Sequence, residues 1–427
     1  MGEILTEGRA VLVGIAHDNA ELEECNRSLD ELARLLDTAG GQEAFRVIQV
    51  RSSFDARTCI GSGKVLEIRE LCEAEGVRLV IFDFELSPSQ IRNLEEDIGC
   101  VEVIDRSMLI LDIFALHAVT GEGKLQVELA QLKYTAPRLI GKGKEMSRLG
   151  GTIGTRGPGE SQLERDRRHI KRRIDSLEAQ LREMEDNRST MRAARDRSGI
   201  PKVAIVGYTN AGKSTLLNYL TDAGVLSEDK LFATLDPTTR RLDLPEGESL
   251  LLTDTVGFIR KLPHHLVKAF RSTLEEAAFA DILMIVIDAT DSEAEEHLAV
   301  TENLLEELGA GGKPTLYVYN KCDMLDSVPA GSEEARRVYV SAKSGRGVDR
   351  LLAVLRDMAL EGHRRVTLCF PYSEQGKMSR LYECGTVEDV RYEAEGVVAV
   401  AVLDGRGVGL FRNYITDGLP AEEDDDV

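Results

Sequence analysis

Between residues 10 and 104, short apolar runs alternate with segments of helical period: AVLVGIA, a helix through Leu29 and Leu36, RVIQV, KVLEIRELCEAEG, RLVIF, a helix near Ile91, and VEVI. Strands separated by helices predict an N-terminal α/β lobe over 1–105, a small and largely parallel sheet covered by helices. From 106 to 197 the pattern is helical with one long interruption. In the first arm Leu125, Leu129, Leu132, Ala136 and Leu139 recur at alternating spacings of four and three. In the second, Ile170, Ile174, Leu177, Leu181, Met184 and Met191 keep the same spacings, broken only by Arg188. Two such seams joined by a loop predict an antiparallel helical hairpin tens of ångströms long, at about 1.5 Å per residue. Buried-strand patterns return over 198–364 and close on a helix at 346–363 with Leu351, Leu352 and Leu355 inward. RVTLCF, a helix through Leu381, GTVEDVRYE and VVAVAVL then predict a small C-terminal α+β domain over 365–427, ending in the acidic tail AEEDDDV, expected to be solvated.

The chemistry is concentrated in the third of these segments. Residues 202–214, KVAIVGYTNAGKS, run from a strand through a loop into a helix, and Gly207, Gly212, Lys213 and Ser214 match G-x-x-x-x-G-K-[ST] in the context that pattern requires. The glycines let the loop of Tyr208, Thr209, Asn210 and Ala211 turn its N–H groups around phosphates, and the helix adds its positive end. Lys213 is placed to reach the outer phosphates. Ser214, followed by Thr215, offers a hard oxygen for Mg2+. LLLTDTVG, residues 250–257, ends in Asp254, Thr255, Val256 and Gly257; Asp254 is placed to hold Mg2+ and the Gly257 N–H to meet a γ-phosphate. TLYVYNKCD ends in Asn320, Lys321, Cys322 and Asp323, where a carboxylate accepts two parallel hydrogen bonds from N1 and N2 of guanine. VYVSAK ends at Ser341, Ala342 and Lys343, where a backbone N–H meets the guanine O6; an adenine amine there would set donor against donor. Four motifs in order at strand ends describe a doubly wound, mostly parallel nucleotide-binding sheet. They resemble the translation-factor branch of P-loop GTPases and imply GTP/GDP binding with Mg2+. LFATLDPTTR, residues 231–240, holds three threonines, and the sequence alone leaves open which one completes the Mg2+ shell.

Composition narrows the setting. No apolar run approaches the length that spans a bilayer, and the first residues lack a secretory pattern, so a cytoplasmic protein without a membrane partner is expected. The seven cysteines are scattered and never spaced C-x-x-C, and His264 and His265 are adjacent, so no metal besides Mg2+ is indicated. Net charge is −21, yet residues 133–197 carry 17 Lys or Arg against 10 Asp or Glu, a local +7 that leaves −28 for the remainder. A basic segment within an acidic protein is a localised electrostatic footprint. Its centre, GKGKEMSRLGGTIGTRGPG at 141–159, reads as a loop with seven glycines, the cations Lys142, Lys144, Arg148 and Arg156, and no aromatic residue. Such a loop suits phosphate backbones and folded RNA better than base stacking.

The strings IGSGKV, GEGKLQVELAQLKYTAPRL, GGTIGTRGPGE, VGYTNAGKST, LFATLDPTTR and DTVGFI, which cover most of residues 1–365, resemble the HflX family of ribosome-associated P-loop GTPases, related to the Obg group. The resemblance implies binding to the large ribosomal subunit and its RNA, with the loop near the peptidyl transferase centre, and splitting of stalled ribosomes under stress. It points to Thr234 as the threonine that senses the γ-phosphate, and adds its neighbours Phe232, Ala233, Leu235 and Asp236 to the expected nucleotide contacts. The expected catalytic set is Lys213, Thr234, Gly257 and Asn210. The protein is expected to act as a monomer, cytoplasmic and partly ribosome-associated.

Two departures from the simplest GTPase scheme matter. Phe258 stands where many GTPases carry the glutamine that orients water, so unassisted hydrolysis is expected to be slow. Asn210 stands where potassium-stimulated GTPases place an asparagine, so K+ is a candidate cofactor. Gly61-Ser62-Gly63-Lys64 is a partial phosphate-loop string, read as a helix-capping turn. It is the only motif behind a second reading, an RNA-remodelling NTPase with another nucleotide site in the N-terminal lobe. A third reading is a plain RNA-binding protein with a structural nucleotide. The C-terminal domain carries no recognisable chemistry.

Overall fold

The computed structural model describes residues 8–148, 158–196, 200–221, 224, 230–244, 248–261, 263, 266, 271–329, 331–332, 336–361, 364–374, 376–393, 396–403 and 405–416. The N-terminal lobe alternates β1 (Arg9–Ala16), α1 (Leu22–Thr38), β2 (Gln42–Val50), α2 (Ser62–Glu75), β3 (Leu79–Phe82), α3 (Pro88–Ile98) and β4 (Glu102–Asp105). Its strands form an all-parallel sheet in the order β2-β1-β3-β4. The near-continuous apolar run of β1 is buried on both faces, as parallel strands between helices must be. Gly61 caps α2 and Lys64 pairs with Glu67 at 2.8 Å, so the Gly61–Lys64 string is a helix start.

Asp105 ends β4 and caps α4 (Arg106–His117) by accepting the Met108 N–H at 3.1 Å. The hairpin follows as α5 (Gly121–Arg148) and α6 (Pro158–Asp196). At about 1.5 Å per residue α5 is about 42 Å long. The link over 149–157 cannot span that length at about 3.5 Å per residue, so the second helix must return along the first. The two helices are held by a bidentate Arg173–Glu128 pair, both contacts 2.7 Å, and by Lys133–Glu178 at 2.8 Å. In α6 the expected seam from Ile170 to Met184 is the least exposed stripe, with Leu177 fully buried. In α5 the seam residues Leu125, Leu129, Leu132 and Ala136 are half-buried, and a second face of Val127 and Ala130 is buried against the lobe. Tyr134 fixes that face by donating its hydroxyl to Asp105, with the Arg138 guanidinium 3.9 Å over its ring.

The expected loop at 141–159 is shorter than its glycines suggest. Helix α5 continues to Arg148 and α6 opens at Pro158, so Lys142, Lys144 and Arg148 have helical backbone, while Arg156 lies outside the described residues. Each helical glycine costs about 1 kcal/mol relative to alanine, and the neighbouring Lys, Glu, Met and Arg are good helix formers.

The next segment comprises β5 (Lys202–Val206), α7 (Lys213–Thr221), β6 (Thr238–Asp243), β7 (Ser249–Asp254), α8 (Arg271–Phe279), β8 (Ile282–Asp288), α9 (Ala294–Glu307), β9 (Thr315–Asn320), β10 (Arg337–Tyr339) and α10 (Val348–Leu360). Its sheet runs β10-β9-β8-β5-β7-β6, parallel except for β6 against β7. The C-terminal unit is an antiparallel sheet of β11 (Arg364–Phe370), β13 (Gly396–Leu403) and β12 (Gly385–Glu393), in that order. Helix α11 (Lys377–Cys384) lies between β11 and β12 in sequence and packs on this unit's own core, including Phe370, Leu381 and Phe411. The acidic tail lies outside the described residues. Among the described residues, no helix is long and apolar enough to cross a membrane.

A single apolar core joins the first three segments. Leu29 and Leu36 of α1, Phe114 of α4, Val127 of α5, and Phe232, Val256 and Phe258 of the nucleotide-binding segment belong to one continuous cluster. At its edge Arg106, 2% exposed, donates to Glu31, to Asp83 Oδ1 at 2.7 Å and to the Arg260 carbonyl at 3.1 Å. Burial works against its charge, and the adjoining Glu31 and Asp83 carboxylates overcome that penalty. Arg106→Ala would leave Glu31 buried without its cation and Asp83 with only Lys261. It is expected to cost about 3–5 kcal/mol, read as a lowered urea midpoint.

Candidate functional site

The site lies at the carboxyl ends of β5, β7 and β9, where a doubly wound sheet opens a crevice. The phosphate loop leaves β5 at Gly207 and returns as α7 at Lys213, so the unpaired N–H groups of the helix start lie at the loop. Gly212 has φ +94°, and a Cβ there would sit 2.2 Å from Asn320 Nδ2. A Cβ on Gly257 would lie 2.7 Å from Thr209 Cγ2 and 2.9 Å from Lys213 Nζ. Both positions therefore require glycine for the chain to close around the loop.

Lys213 is buried, and its ammonium donates to the Tyr208 carbonyl at 2.8 Å and the Gly207 carbonyl at 3.1 Å. Burial pushes it down to about 8, with Asp254 pulling the other way. The Ser214 hydroxyl lies 2.8 Å from Thr234 Oγ1 and 2.6 Å from Asp254 Oδ2. Three hard oxygens from three segments thus converge, and of the threonines in 231–240 it is Thr234 that reaches them. Thr239 turns instead to Thr253, 3.0 Å away across β6 and β7. Burial pushes the Asp254 carboxyl up, while Lys213 and Ser214 hold it down. Among the described residues, Asp254 Oδ1 and Thr209 Oγ1 are buried without a hydrogen-bond partner. Asn210 (φ +61°), Thr215, Lys230 and Ala233 complete the crevice wall. Lys230 belongs to none of the four motifs.

At the other end Asp323 is exposed, and the neighbouring Ser341 hydroxyl holds its carboxyl below the usual carboxylate range. Asn320 plays a part that the motif did not announce. Its Nδ2 donates to the Ala211 carbonyl at 2.9 Å and its Oδ1 accepts the Ala342 N–H at 2.9 Å, stapling the phosphate loop to the Ser341–Lys343 turn. Lys321 adopts φ +64° and pairs with Asp288 at 2.6 Å.

Several expected contacts turn their side chains elsewhere. Phe232, Leu235, Val256 and Cys322 are buried in the protein interior; their apolar side chains gain more there than beside phosphates. Tyr208 points away from the phosphate loop: its hydroxyl donates to Glu31 of α1 and accepts the Arg260 N–H at 2.8 Å, while its ring stacks on His297, centroids 3.7 Å apart. The Asp236 carboxylate faces the start of α5. Phe258 is buried, its backbone bonded to Gly207 and Thr209, so its ring is withdrawn from the crevice.

Comparison with known proteins agrees with this geometry. Three family models match in succession: a GTP-binding GTPase N-terminal region over residues 26–115, a GTP-binding GTPase middle region over 117–195, and a 50S ribosome-binding GTPase over 202–321. The GTPase HflX of Caldanaerobacter subterraneus subsp. tengcongensis is 48% identical over 407 residues, 95% of this chain and 94% of that relative. The chain belongs to the HflX family. The HflX GTPase of Escherichia coli K12 is 44% identical over 380 residues, covering 88% of this chain and 89% of its own. Among solved structures, a GTP-binding protein from Sulfolobus solfataricus in complex with GDP is similar at 27% identity with a TM-score of 0.45, over 83% of this chain and 99% of that one. As an HflX protein the chain is a GTPase that binds guanine nucleotide.

The depressed Lys213 gives binding a pH dependence. Phosphate raises the lysine's affinity for its proton, so above about pH 8 binding must take up a proton that is already present below it. GDP affinity is therefore expected to weaken as pH rises through 8. Calorimetry in two buffers of different ionisation enthalpy would detect the uptake, and Lys213→Ala should abolish it.

Proposed function

We propose that this HflX protein is a Mg2+-dependent GTPase whose GTP-bound form engages the large ribosomal subunit and dissociates stalled ribosomes, with hydrolysis stimulated by that partner. The observation that carries the nucleotide half is the convergence of Ser214 Oγ, Thr234 Oγ1 and Asp254 Oδ2 beside the unpartnered Asp254 Oδ1. That donor set consists of hard oxygens, which is what Mg2+ selects. Ser214, Thr234 and Asp254 would hold the ion, whose charge offsets that on the phosphate oxygens. Lys213 orients and neutralises the outer phosphates, and the Gly257 N–H faces the terminal one. Asp323 selects guanine through its N1 and N2 donors, beside the Ser341–Lys343 turn whose Ala342 N–H is already given to Asn320 Oδ1.

Phe258 supplies no polar group to a water, so the assisting group must come from outside the loop it occupies. The 50S ribosome-binding description of the model matching 202–321, together with the basic hairpin, supports a ribosomal source. Lys142, Lys144, Arg148 and Arg156 would meet RNA phosphates near the hairpin tip. Nothing at Gly61–Lys64 favours a second nucleotide, since Lys64 already pairs with Glu67. Asn210, at the crevice wall, is the residue that would hold K+ as a further positive charge. Equal hydrolysis rates in sodium and potassium would remove that cation from the scheme.

Hydrolysis by the purified protein alone should be slow and should rise at least about tenfold with large subunits but not small ones. Replacing the four hairpin cations with alanine should remove the stimulation and leave the unstimulated rate within about twofold. Absence of any ribosomal response would leave a GTPase with another partner.

A further inference from the structure

Asp236 stands two residues beyond Thr234, yet its carboxylate is committed to the base of the hairpin. Oδ2 accepts the Val119 and Thr120 backbone N–H groups, both at 2.9 Å, and Oδ1 accepts the Thr120 hydroxyl. Thr120 Oγ1 in turn accepts the Gly123 N–H at 3.0 Å, and the Thr120 carbonyl accepts Lys124 N–H at 3.1 Å, so Thr120 caps α5. An anion at this point also faces the positive end of a 28-residue helix. The fit is close: a Cβ on Gly123 would lie 2.4 Å from Asp236 Oδ1.

Two further contacts hold the same segment to the lobe. The Leu231 N–H donates to Thr38 Oγ1 at 3.2 Å, and the Phe232 ring meets Phe114 edge-on with centroids 4.8 Å apart. Thr234 is thus the one residue of a lobe-bound strap whose side chain reaches Ser214 across the crevice.

We propose that Asp236 is a positioning residue through which the hairpin base holds Thr234 in the geometry that recognises GTP with Mg2+. This rests on the reading of Thr234 as the γ-phosphate sensor. Because coupling between two sites is reciprocal, whatever displaces α5 at its far end loosens Thr234, and whatever fixes Thr234 steadies α5. GDP, lacking the γ-phosphate, has no use for the strap, so the two nucleotides should respond differently to its loss.

The test measures affinities of the full chain for GDP and for a non-hydrolysable GTP analogue with Mg2+, in Asp236→Asn, Thr120→Val and Thr234→Ala. Thr120 lies on the hairpin outside the nucleotide site, so a specific effect there cannot come from a lost nucleotide contact. Thr234→Ala should weaken the analogue and spare GDP. Thr120→Val and Asp236→Asn should each weaken the analogue about tenfold, with GDP affinity moved less than about twofold. If Thr234→Ala shifts the ratio while both clasp variants move the two affinities together, or neither, the clasp is overturned and the sensor stands. If Thr234→Ala leaves the ratio unchanged, sensor and clasp fall together. No ribosome enters these measurements, so a missing ribosomal response bears only on the partner.

Discussion

The buried guanidinium of Arg106 is the constraint around which the first three segments are arranged. A fully desolvated cation is tolerable only if carboxylates and carbonyls surround it in fixed geometry, and here they come from α1, the end of β3 and the turn after Gly257. Tyr208 of the phosphate loop shares Glu31 with it, and Lys261 adds a second cation, its Nζ 2.9 Å from Asp83. The nucleotide loop and the segment beyond Gly257 are therefore held to the N-terminal lobe by the same charges. Neither can shift without leaving a buried charge unmatched.

This arrangement explains which features were legible along the chain. Strand-helix alternation, the heptad stripe of α6 and the position of the four motifs at strand ends depend on local period and fixed spacing, and the structure has these elements. What the sequence did not disclose is long-range pairing: Arg106 with Glu31 and Arg260, Asp236 with Thr120, Asn320 with Ala211 and Ala342. Each joins groups whose separation along the chain carries no pattern. Tyr208, Phe232, Leu235 and Asp236 adjoin the phosphate loop or Thr234 in sequence, whereas their side chains follow the burial of rings and the pairing of charge. The glycine-rich run misled in the other direction, since at 141–148 helix-forming neighbours outweighed Gly141 and Gly143.

The site itself shows a division of labour between backbone and side chain. Glycines at 212 and 257 let three strand ends close on one another, and Asn320, fully engaged with main-chain groups, fixes the distance between the phosphate and base ends. Among the described residues, six buried side-chain atoms lack a hydrogen-bond partner, and two of them, Asp254 Oδ1 and Thr209 Oγ1, belong to this site.

The continuous core has a consequence for modularity. Cut at residue 198, the nucleotide-binding part would present Phe232, Leu235, Phe258 and Ile259 to water, and the lobe would present Phe114 and its neighbours. Among the described residues, the C-terminal unit has an apolar cluster of its own. Recombination that separated the other three segments would have to re-cover that shared core, so they tend to be inherited as a single unit of selection.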